Sequence, residues 1–403
     1  MAADPGAGAE FRPHPLARLF LPSGEEVALV APFDPLPLGD GLGALLAVLG
    51  ARGRAFRIGG TGALEAGDGA FETLTGGSLG QPRRVVRRQA SWLASFAVNA
   101  GLFGIGPGVR VAVLGSFVHS LALYGALESL CLGASLHVLA GLRPDRQAQA
   151  LAAHRVGVIY ATPAQLRAVL ASGLALPALS HVILGGARVD GALRAALGRL
   201  APQARLTVFY GAAETSFITL AGPESTAEGV GQPYPGVRIR IGEEGLIWVQ
   251  SPYLFQSYAG TDRGGALWDG DWLSVGEMGA FGPEGLLLRG RAGRMVTVAD
   301  QNVFPEEIEA FLETLPAVTR AAVLPVEDAA RGHVLVAHLQ GDAGAEGAIL
   351  GALRRRLGPM IAPRALIWHE AWPMLPSGKT DLAALARRGV TRRGLTRRGL
   401  TWR

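Results

Sequence analysis

The chain has 403 residues, of which 49% are hydrophobic and 18% are charged. This composition excludes a largely disordered chain, and the length indicates more than one domain. The single cysteine of the sequence, Cys131, lies in an apolar stretch, so an internal disulfide framework and a cysteine-based metal cluster are excluded. The N-terminus has no apolar core behind a basic start, so we predict no signal peptide and expect a cytoplasmic location.

Positive charge is concentrated at the C-terminus. The formal net charge is +5, yet residues 387–403 alone contain seven arginines and no acidic residue, in a five-residue repeat. The rest of the chain is therefore slightly acidic, which argues against a nucleic-acid-binding surface there. We interpret residues 387–403 as a solvated, disordered tail, with a nucleic-acid or membrane-surface role for it as the alternative.

Lysine is almost absent from the sequence. Lys379 is the single lysine, and every other basic side chain counted in the net charge is an arginine. Arginine cannot replace lysine where a compact ammonium group must reach one point, because the guanidinium group is a planar fork. Lys379 is therefore a candidate functional residue before any motif is considered.

Residues 109–211 predict strands that alternate with helices. Such alternation indicates a doubly wound α/β domain with a buried parallel sheet, whose ligands bind at the carboxyl ends of the strands. The apolar run within 109–141 leaves a membrane span as an alternative, although glycines and polar residues interrupt it. The predicted strands are 109–115, 135–140, 156–161, 180–186 and 205–211, and the predicted helices are 119–133, 146–155, 163–173 and 188–200.

The pattern changes after residue 228. Residues 229–289 predict short strands joined by tight turns, as in a β-meander or a small barrel. We place a domain boundary near Gly293, beyond which the pattern indicates a compact α+β domain. Its predicted helices are 304–315 and 348–358, and its predicted strands are 319–326 and 332–340.

Three glycine-bearing loops follow predicted strands. Residues 73–84 read TLTGGSLGQPRR, and the backbone N–H groups of such a loop can converge on phosphate oxygens. The same loop contains a G-x-S-x-G match, which makes Ser78 a candidate hydrolase nucleophile. The other loops are GGAR at 185–188 and YGAAET at 210–215. In the last of these, an aromatic ring could stack on a base, with Glu214 near Mg²⁺ and phosphate.

These loops, in this order, resemble motifs of the adenylate-forming superfamily, which includes acyl-CoA synthetases, adenylation domains and luciferases. TLTGGSLGQPRR is similar to the family's T-S-G-T-T-G-x-P-K phosphate loop, GGAR to its G-G-A-P segment and YGAAET to its Y-G-x-T-E motif. LPSGKT at 375–380 resembles the C-terminal P-x-x-x-x-G-K motif. Residues 230–241, 268–296 and 301–309 also match, so the resemblance extends over roughly residues 73–382.

The resemblance implies a role for each matching residue. Lys379 would bridge the attacking carboxylate, the α-phosphate and the ribose, Glu214 would bind Mg²⁺, and His119 would lie near the acyl pocket. Gly293 would fall on the interdomain hinge. The nucleotide would be bound by Thr75, Gly77, Ser78 and Gly80 at the phosphates, by Gly185, Gly186, Ala187 and Tyr210 at the adenine, by Gly211 and Ala213 of the same motif, and by Glu277 and Arg291 at the ribose.

The chain also departs from the family pattern. The phosphate loop begins near residue 73, earlier than usual, which implies a reduced N-terminal subdomain. Ala213 stands where a threonine usually contacts phosphate, and Thr215 could compensate for it. The other departures are Arg83 for lysine, Leu79 for threonine, Glu277 for aspartate and Asp300 for glycine.

The resemblance implies a large N-terminal domain (1–292) of parallel sheets with helices plus a small β-barrel-like subdomain, followed by a small, mobile α+β domain (293–386). It further implies a ligase that uses ATP and Mg²⁺ to convert a carboxylic acid to an acyl-adenylate and then, with CoA, to a thioester. The alternatives are loading of a carrier-protein phosphopantetheine thiol, a catalytically weakened homologue that acts as a binding protein, and a serine hydrolase. Neither nucleic acid nor a membrane span is expected.

Overall fold

The computed structural model shows short elements ahead of the main α/β region. Strands β3 (Ala70–Leu74) and β4 (Arg84–Arg88) pair in antiparallel fashion and so flank the first glycine-rich loop. These first elements are β1 (Arg18–Phe20), β2 (Glu26–Val27), α1 (Leu42–Leu49), β3 (Ala70–Leu74), β4 (Arg84–Arg88) and α2 (Gln89–Phe103). The structure describes residues 9–75, 83–187, 189–222, 229–260, 264–298, 301–328, 332–375 and 379–390.

Strands and helices then alternate as predicted. Successive residues of a strand point to opposite faces of the sheet, so Val111 and Val113 pack into one hydrophobic core while Ala112 and Leu114 pack into another. Both faces of the strands are therefore covered. These elements are β5 (Arg110–Val113), α3 (Ser120–Cys131), β6 (Ser135–Val138), α4 (Pro144–Ala153), β7 (Val158–Ala161), α5 (Pro163–Leu170), β8 (His181–Gly185), α6 (Gly191–Leu200), β9 (Arg205–Ala212), β10 (Ser216–Ala221) and β11 (Gln232–Pro233).

Among the described residues, the main sheet has nine strands in the order β11-β10-β9-β8-β7-β5-β6-β1-β2. Its central strands are parallel, and β10, β11 and β2 are antiparallel to their neighbours. The apolar stretch 109–141 is the β5-α3-β6 unit. In the part of the chain that the structure describes, no helix is long and apolar enough to cross a membrane.

The region after residue 228 forms antiparallel strands, but they are distributed over several sheets. Four of them form a sheet in the order β12-β13-β16-β15, β17 and β18 form a hairpin, and β14 joins β3 and β4. The predicted turn between β12 and β13 contains Glu244 and Gly245, both at positive φ. These strands are β12 (Arg238–Ile241), β13 (Ile247–Gln250), β14 (Ser257–Ala259), β15 (Leu267–Asp269), β16 (Trp272–Ser274), β17 (Glu277–Gly282) and β18 (Gly285–Arg291).

The C-terminal part has its own hydrophobic core, whose first residue is Val296, and the boundary near Gly293 stays a prediction. Strands β21, β22 and β23 form its sheet, in which β22 and β23 are parallel. Its elements are β19 (Val296–Val298), β20 (Gln301–Val303), α7 (Pro305–Leu312), β21 (Val318–Asp328), β22 (Gly332–Gly341), α8 (Glu346–Ile361), β23 (Ala365–Trp368) and α9 (Leu382–Val390).

Helix α9 corrects the prediction that disorder begins at residue 387, because it continues to Val390. Its apolar residues recur at helical spacing: Leu382, Leu385 and Ala386 pack together, and Leu385 is fully buried. The first turn of the arginine-rich segment therefore belongs to the folded domain. The rest of the segment, 391–403, lies outside the described residues.

Candidate active site

The turn between β9 and β10 carries Glu214, as predicted from the YGAAET sequence. Thr215 closes this turn: its hydroxyl accepts a hydrogen bond of 3.0 Å from the Ala212 N–H and donates one of 3.3 Å to the Ser216 carbonyl. Thr215 is buried and its hydroxyl is occupied within the turn. The expectation that Thr215 compensates for Ala213 stays a prediction. Gly211 is required because a Cβ there would overlap the Ser216 carbonyl.

Arg87, which the sequence analysis did not single out, holds this turn from behind. Its guanidinium donates hydrogen bonds to the Ala213 carbonyl, to the Tyr253 carbonyl and, at 2.6 Å, to the Ser216 hydroxyl. Arg87 is fully buried, and burial lowers its pKa to about 10 against the opposing effect of the Glu214 charge. A buried cation thus holds the Ala213 carbonyl before Glu214 and the Ser216 side chain after it.

The Glu214 side chain is held at one of its two oxygens. The Tyr258 hydroxyl donates a hydrogen bond of 2.8 Å to Oε1, and the Phe255 N–H donates one of 2.8 Å to the Glu214 carbonyl. Among the described residues, no group of three or more His, Cys, Asp or Glu side chains could hold a metal ion. A Mg²⁺ ion at Glu214 would therefore take its other ligands from water and phosphate, which is its usual mode of binding.

Tyr210, Glu277 and Arg291 form a second group beside this turn. Glu277 and Arg291 are paired across the β17–β18 hairpin, and the guanidinium Nε donates a hydrogen bond of 2.9 Å to the carboxylate. Burial raises the pKa of Glu277, against the opposing charges of Arg291 and Lys379. The Tyr210 hydroxyl is buried and has no hydrogen-bond partner among the residues that the structure describes. Burial, followed by the charge of Glu277, raises the pKa of Tyr210.

Strand β8 ends at Gly185, next to the strand that carries Tyr210, and Gly186 and Ala187 follow it. Gly185 lies beside Phe209 in the parallel register, and a Cβ at Gly185 would overlap the Phe209 ring. Gly186 has a φ of +90°, a conformation that glycine adopts without strain. A Cβ at Gly186 would meet nothing within 4 Å, so there is free space beside this residue.

Lys379 joins these residues from the C-terminal part of the chain. It keeps part of its surface in contact with solvent, but burial of the ammonium group and the charge of Arg291 lower its pKa. The negative charges of Glu277 and Glu214 oppose this shift. The structure therefore brings together the four charged residues that the sequence analysis selected from distant motifs.

Thr75 and His119 lie at the end of β3. The Thr75 N–H donates to the Arg83 carbonyl at 2.9 Å, and the Arg83 N–H donates to the Thr75 hydroxyl at 3.1 Å. These two bonds join the ends of the predicted phosphate loop. His119 forms a β-bridge with Leu74 and precedes α3 with extended backbone angles, so the predicted helix start is corrected by one residue. Partial burial lowers the pKa of His119, against the opposing charge of Asp40.

The remaining predicted phosphate-loop residues cannot be placed. Gly77, Ser78 and Gly80 lie outside the described residues, as does the hydrolase alternative that rests on Ser78. Arg87 and Tyr258 were missed because neither carries a local signal: Arg87 is one of four arginines in residues 83–88, and Tyr258 falls between motifs. Only the tertiary structure shows that both contact the Glu214 turn.

Comparison with known proteins identifies the family. The AMP-binding enzyme family matches residues 53–259, and its C-terminal domain family matches residues 307–379. The chain therefore belongs to the AMP-binding enzyme family, and the predicted membership of the adenylate-forming superfamily is confirmed.

Three similar proteins illustrate the relationship. The uncharacterized acyl-CoA ligase YhfT of Bacillus subtilis is 30% identical over 320 residues, which cover 76% of this chain and 66% of that ligase. Amide bond synthetase McbA of Marinactinospora thermotolerans has a TM-score of 0.69 and 25% identity, covering 79% of this chain and 68% of that one. The o-succinylbenzoate CoA synthetase MenE of Bacillus subtilis shares the fold, with a TM-score of 0.69, 23% identity, and coverage of 78% and 68%. The chain thus spans about two thirds of the length of these proteins.

Proposed function

We propose that this protein is an ATP-dependent carboxylic acid ligase of the AMP-forming type. The observation that carries the proposal is the position of Lys379, which shares one electrostatic environment with Glu214, Glu277 and Arg291 although its motif is distant from theirs in the sequence. A positioned ammonium group and acidic residues suited to Mg²⁺ and ribose are the groups that a reaction at the α-phosphate of ATP needs.

In the first step, a carboxylate oxygen attacks the α-phosphorus of ATP, and the bond to the bridging oxygen of the β-phosphate breaks. The products are an acyl-adenylate and pyrophosphate. Lys379 would place its charge against the carboxylate and the α-phosphate, while Glu277 and Arg291 hold the ribose and Tyr210 lies against the adenine. Mg²⁺, bound at Glu214, would neutralise the phosphate charge.

The second step transfers the acyl group to a thiol, for which we propose CoA. A thiol that arrives with the substrate needs no protein nucleophile, and burial raises the pKa of the single cysteine, Cys131, to about 12, which keeps it protonated. The name of YhfT as an acyl-CoA ligase supports CoA. A carrier-protein phosphopantetheine thiol is the alternative acceptor, and the name of McbA as an amide bond synthetase adds an amine to the acceptors worth testing.

One observation favours a second candidate, a binding protein with weakened catalysis. Ala213 supplies no hydroxyl at the position where the family's threonine would contact phosphate, and the hydroxyl of Thr215 is used within the turn. The site would then bind nucleotide and acid, but it would stabilise the transition state less well than one that has the threonine.

Product analysis distinguishes these functions. The protein is incubated with ATP, Mg²⁺ and a panel of acyl and aryl acids, and separate reactions contain CoA, a phosphopantetheine-loaded carrier protein or an amine. A ligase yields AMP together with the matching thioester or amide, detected by mass spectrometry. Binding of ATP without AMP from any acid would favour the binding protein, and formation of ADP would contradict the proposal.

A further inference from the structure

Lys379 is carried by a small hairpin of the C-terminal domain. The Leu375 N–H donates a hydrogen bond of 2.8 Å to the Lys379 carbonyl, and the Asp381 N–H donates one of 3.0 Å to the Pro373 carbonyl. Met374 and Thr380 form an antiparallel bridge between these two bonds. The backbone from Lys379 to Asp381 is therefore held by residues 373–375.

Trp372 connects this hairpin to the body of the domain. Its indole N–H donates a hydrogen bond of 3.0 Å to the hydroxyl of Thr380, the residue that follows Lys379. The ring packs against the cluster of Leu324 on β21 and Leu385 on α9. The indole ring is also perpendicular to the His369 ring, at a centroid distance of 6.0 Å. The indole thus contacts the domain core through its ring and the hairpin through its N–H group.

We propose that Trp372 is a positioning residue for Lys379, acting through its hydrogen bond to Thr380. A lysine side chain has four rotatable bonds, so its ammonium group reaches the same point repeatedly only if its backbone is held in place. Small displacements of a positioned charge cost a large part of its catalytic effect. This inference rests on the proposed function, because it assigns Trp372 to the adenylation step in which Lys379 acts.

Two substitutions separate the hydrogen bond from the packing of the ring. Trp372→Phe keeps an aromatic ring in the apolar cluster but removes the N–H donor, and Thr380→Val keeps the shape of the acceptor residue but removes its hydroxyl. Trp368→Phe is a matched control, because Trp368 also donates its indole N–H within this domain, to Glu346 at 3.3 Å. The melting temperature of each variant reports any general loss of structure.

The single lysine of the sequence allows the position of Lys379 to be followed without a substrate. Reductive methylation with ¹³C-formaldehyde labels the Lys379 amine and the N-terminal amine, which titrate in different pH ranges. The NMR shift of the lysine signal against pH then gives the pKa of Lys379. We expect a lowered pKa in the wild type, and a shift toward the value measured in urea for both Trp372→Phe and Thr380→Val but not for Trp368→Phe.

Activity provides the second readout. Since a typical hydrogen bond contributes about 0.5–1.5 kcal/mol, acid-dependent ATP–pyrophosphate exchange should fall about 2- to 12-fold in each variant of the pair. The double variant should exchange pyrophosphate as fast as either single variant, because the two substitutions remove the same hydrogen bond. Thioester formation from a synthetic acyl-adenylate should be unchanged, since Lys379 is assigned only to the first step.

The inference is overturned if Trp372→Phe leaves the pKa of Lys379 as unchanged as Trp368→Phe does. It is also overturned if Trp372→Phe lowers the rates of pyrophosphate exchange and of thioester formation equally, together with the melting temperature. Its failure is distinguishable from failure of the proposed function. A wild-type protein without exchange activity on any acid contradicts the proposed function, while the lysine titration still decides whether Trp372 positions Lys379.

Discussion

The buried guanidinium of Arg87 donates a hydrogen bond of 2.6 Å to the hydroxyl of Ser216, a non-glycine residue with a left-handed φ of 57°. Such a backbone conformation costs on the order of 1–3 kcal/mol and persists only where its surroundings enforce it. Arg87 holds Ser216 in this conformation, because its guanidinium also binds the Ala213 carbonyl on the other side of Glu214. The strain at Ser216 is therefore part of how the Glu214 turn is shaped.

Replacement of Arg87 by methionine should destabilise the protein. The carbonyls of Ala213 and Tyr253 and the hydroxyl of Ser216 would lose their buried donor, and leaving such enclosed polar groups without partners costs roughly 3 kcal/mol or more in total. Urea unfolding measures this change. Arg88→Met is the matched control on the same strand, because Arg88 is exposed, and its effect should stay within about 1 kcal/mol. An equal decrease in the free energy of unfolding for the two variants would contradict the role given to Arg87.

Glu214→Gln should weaken Mg²⁺ binding while leaving the fold intact. The amide keeps an oxygen that can accept the hydrogen bond from Tyr258, but the negative charge that attracts Mg²⁺ is lost. We expect pyrophosphate exchange to fall by about 100-fold or more, with a higher Mg²⁺ concentration needed for half-maximal rate. Glu243→Gln, at an exposed turn, should change neither quantity. An unchanged Mg²⁺ dependence in Glu214→Gln would remove Glu214 as the metal ligand.

Gly185→Ala should impair both stability and nucleotide binding. The added methyl group would overlap the Phe209 ring, and such overpacking typically costs about 1–3 kcal/mol. Displacement of that ring would also disturb the neighbouring Tyr210, so the KM for ATP should rise. Gly191→Ala offers a control at the start of α6, where a Cβ meets nothing within 4 Å. That variant should be neutral or slightly more stable, since alanine favours a helix. The melting temperature and ATP kinetics of both variants test this prediction.

The buried carboxyl of Glu128 should make stability depend on pH. It accepts hydrogen bonds from Tyr160 and, at 2.8 Å, from Asn99, but burial raises its pKa to about 8. Between the pKa of an unfolded glutamate and this value, the folded state keeps a proton that the unfolded state releases. Stability from Glu128 is therefore present at low pH and is lost as the pH rises toward 8.

Glu128→Gln removes this titration. Its free energy of unfolding, relative to the wild type, should increase by about 1 kcal/mol per pH unit between roughly pH 5 and 8. Urea unfolding at a series of pH values measures the difference, with Glu370→Gln as an exposed control that should show no such trend. A constant difference between Glu128→Gln and the wild type would show that Glu128 does not hold its proton.

The sequence predicts those elements whose pattern depends on residues close together in the chain. The strands β5 to β9 are apolar because helices bury both of their faces, and their order along the chain follows directly from that pattern. Lys379 was selected as a candidate by its rarity, which a net-charge count alone would have hidden, and its role stays a prediction. Helix α9 was missed because the repeat of arginines masks the apolar spacing of Leu382, Leu385 and Ala386.

Contacts between segments that are distant in the chain could not be predicted from the sequence in the same way. The pairing of β14 with β4 brings Tyr258 to Glu214, yet β14 is only three residues long. Arg87 lies in a run of arginines whose spacing does not show which one turns inward. Thr215 follows the motif and could have faced a ligand, but the hydrogen bonds of the turn direct its hydroxyl inward.

The central claim, that Lys379 drives adenylation, is tested most directly by carboxylate-dependent ATP–pyrophosphate exchange over a panel of acids. The wild type should exchange pyrophosphate with at least one acid. Lys379→Ala should lower that rate by about 100- to 1,000-fold, and Lys379→Arg should not restore it, because the guanidinium fork cannot take the place of the ammonium group. Exchange that survives in Lys379→Ala, or its absence with every acid in the wild type, would contradict this account.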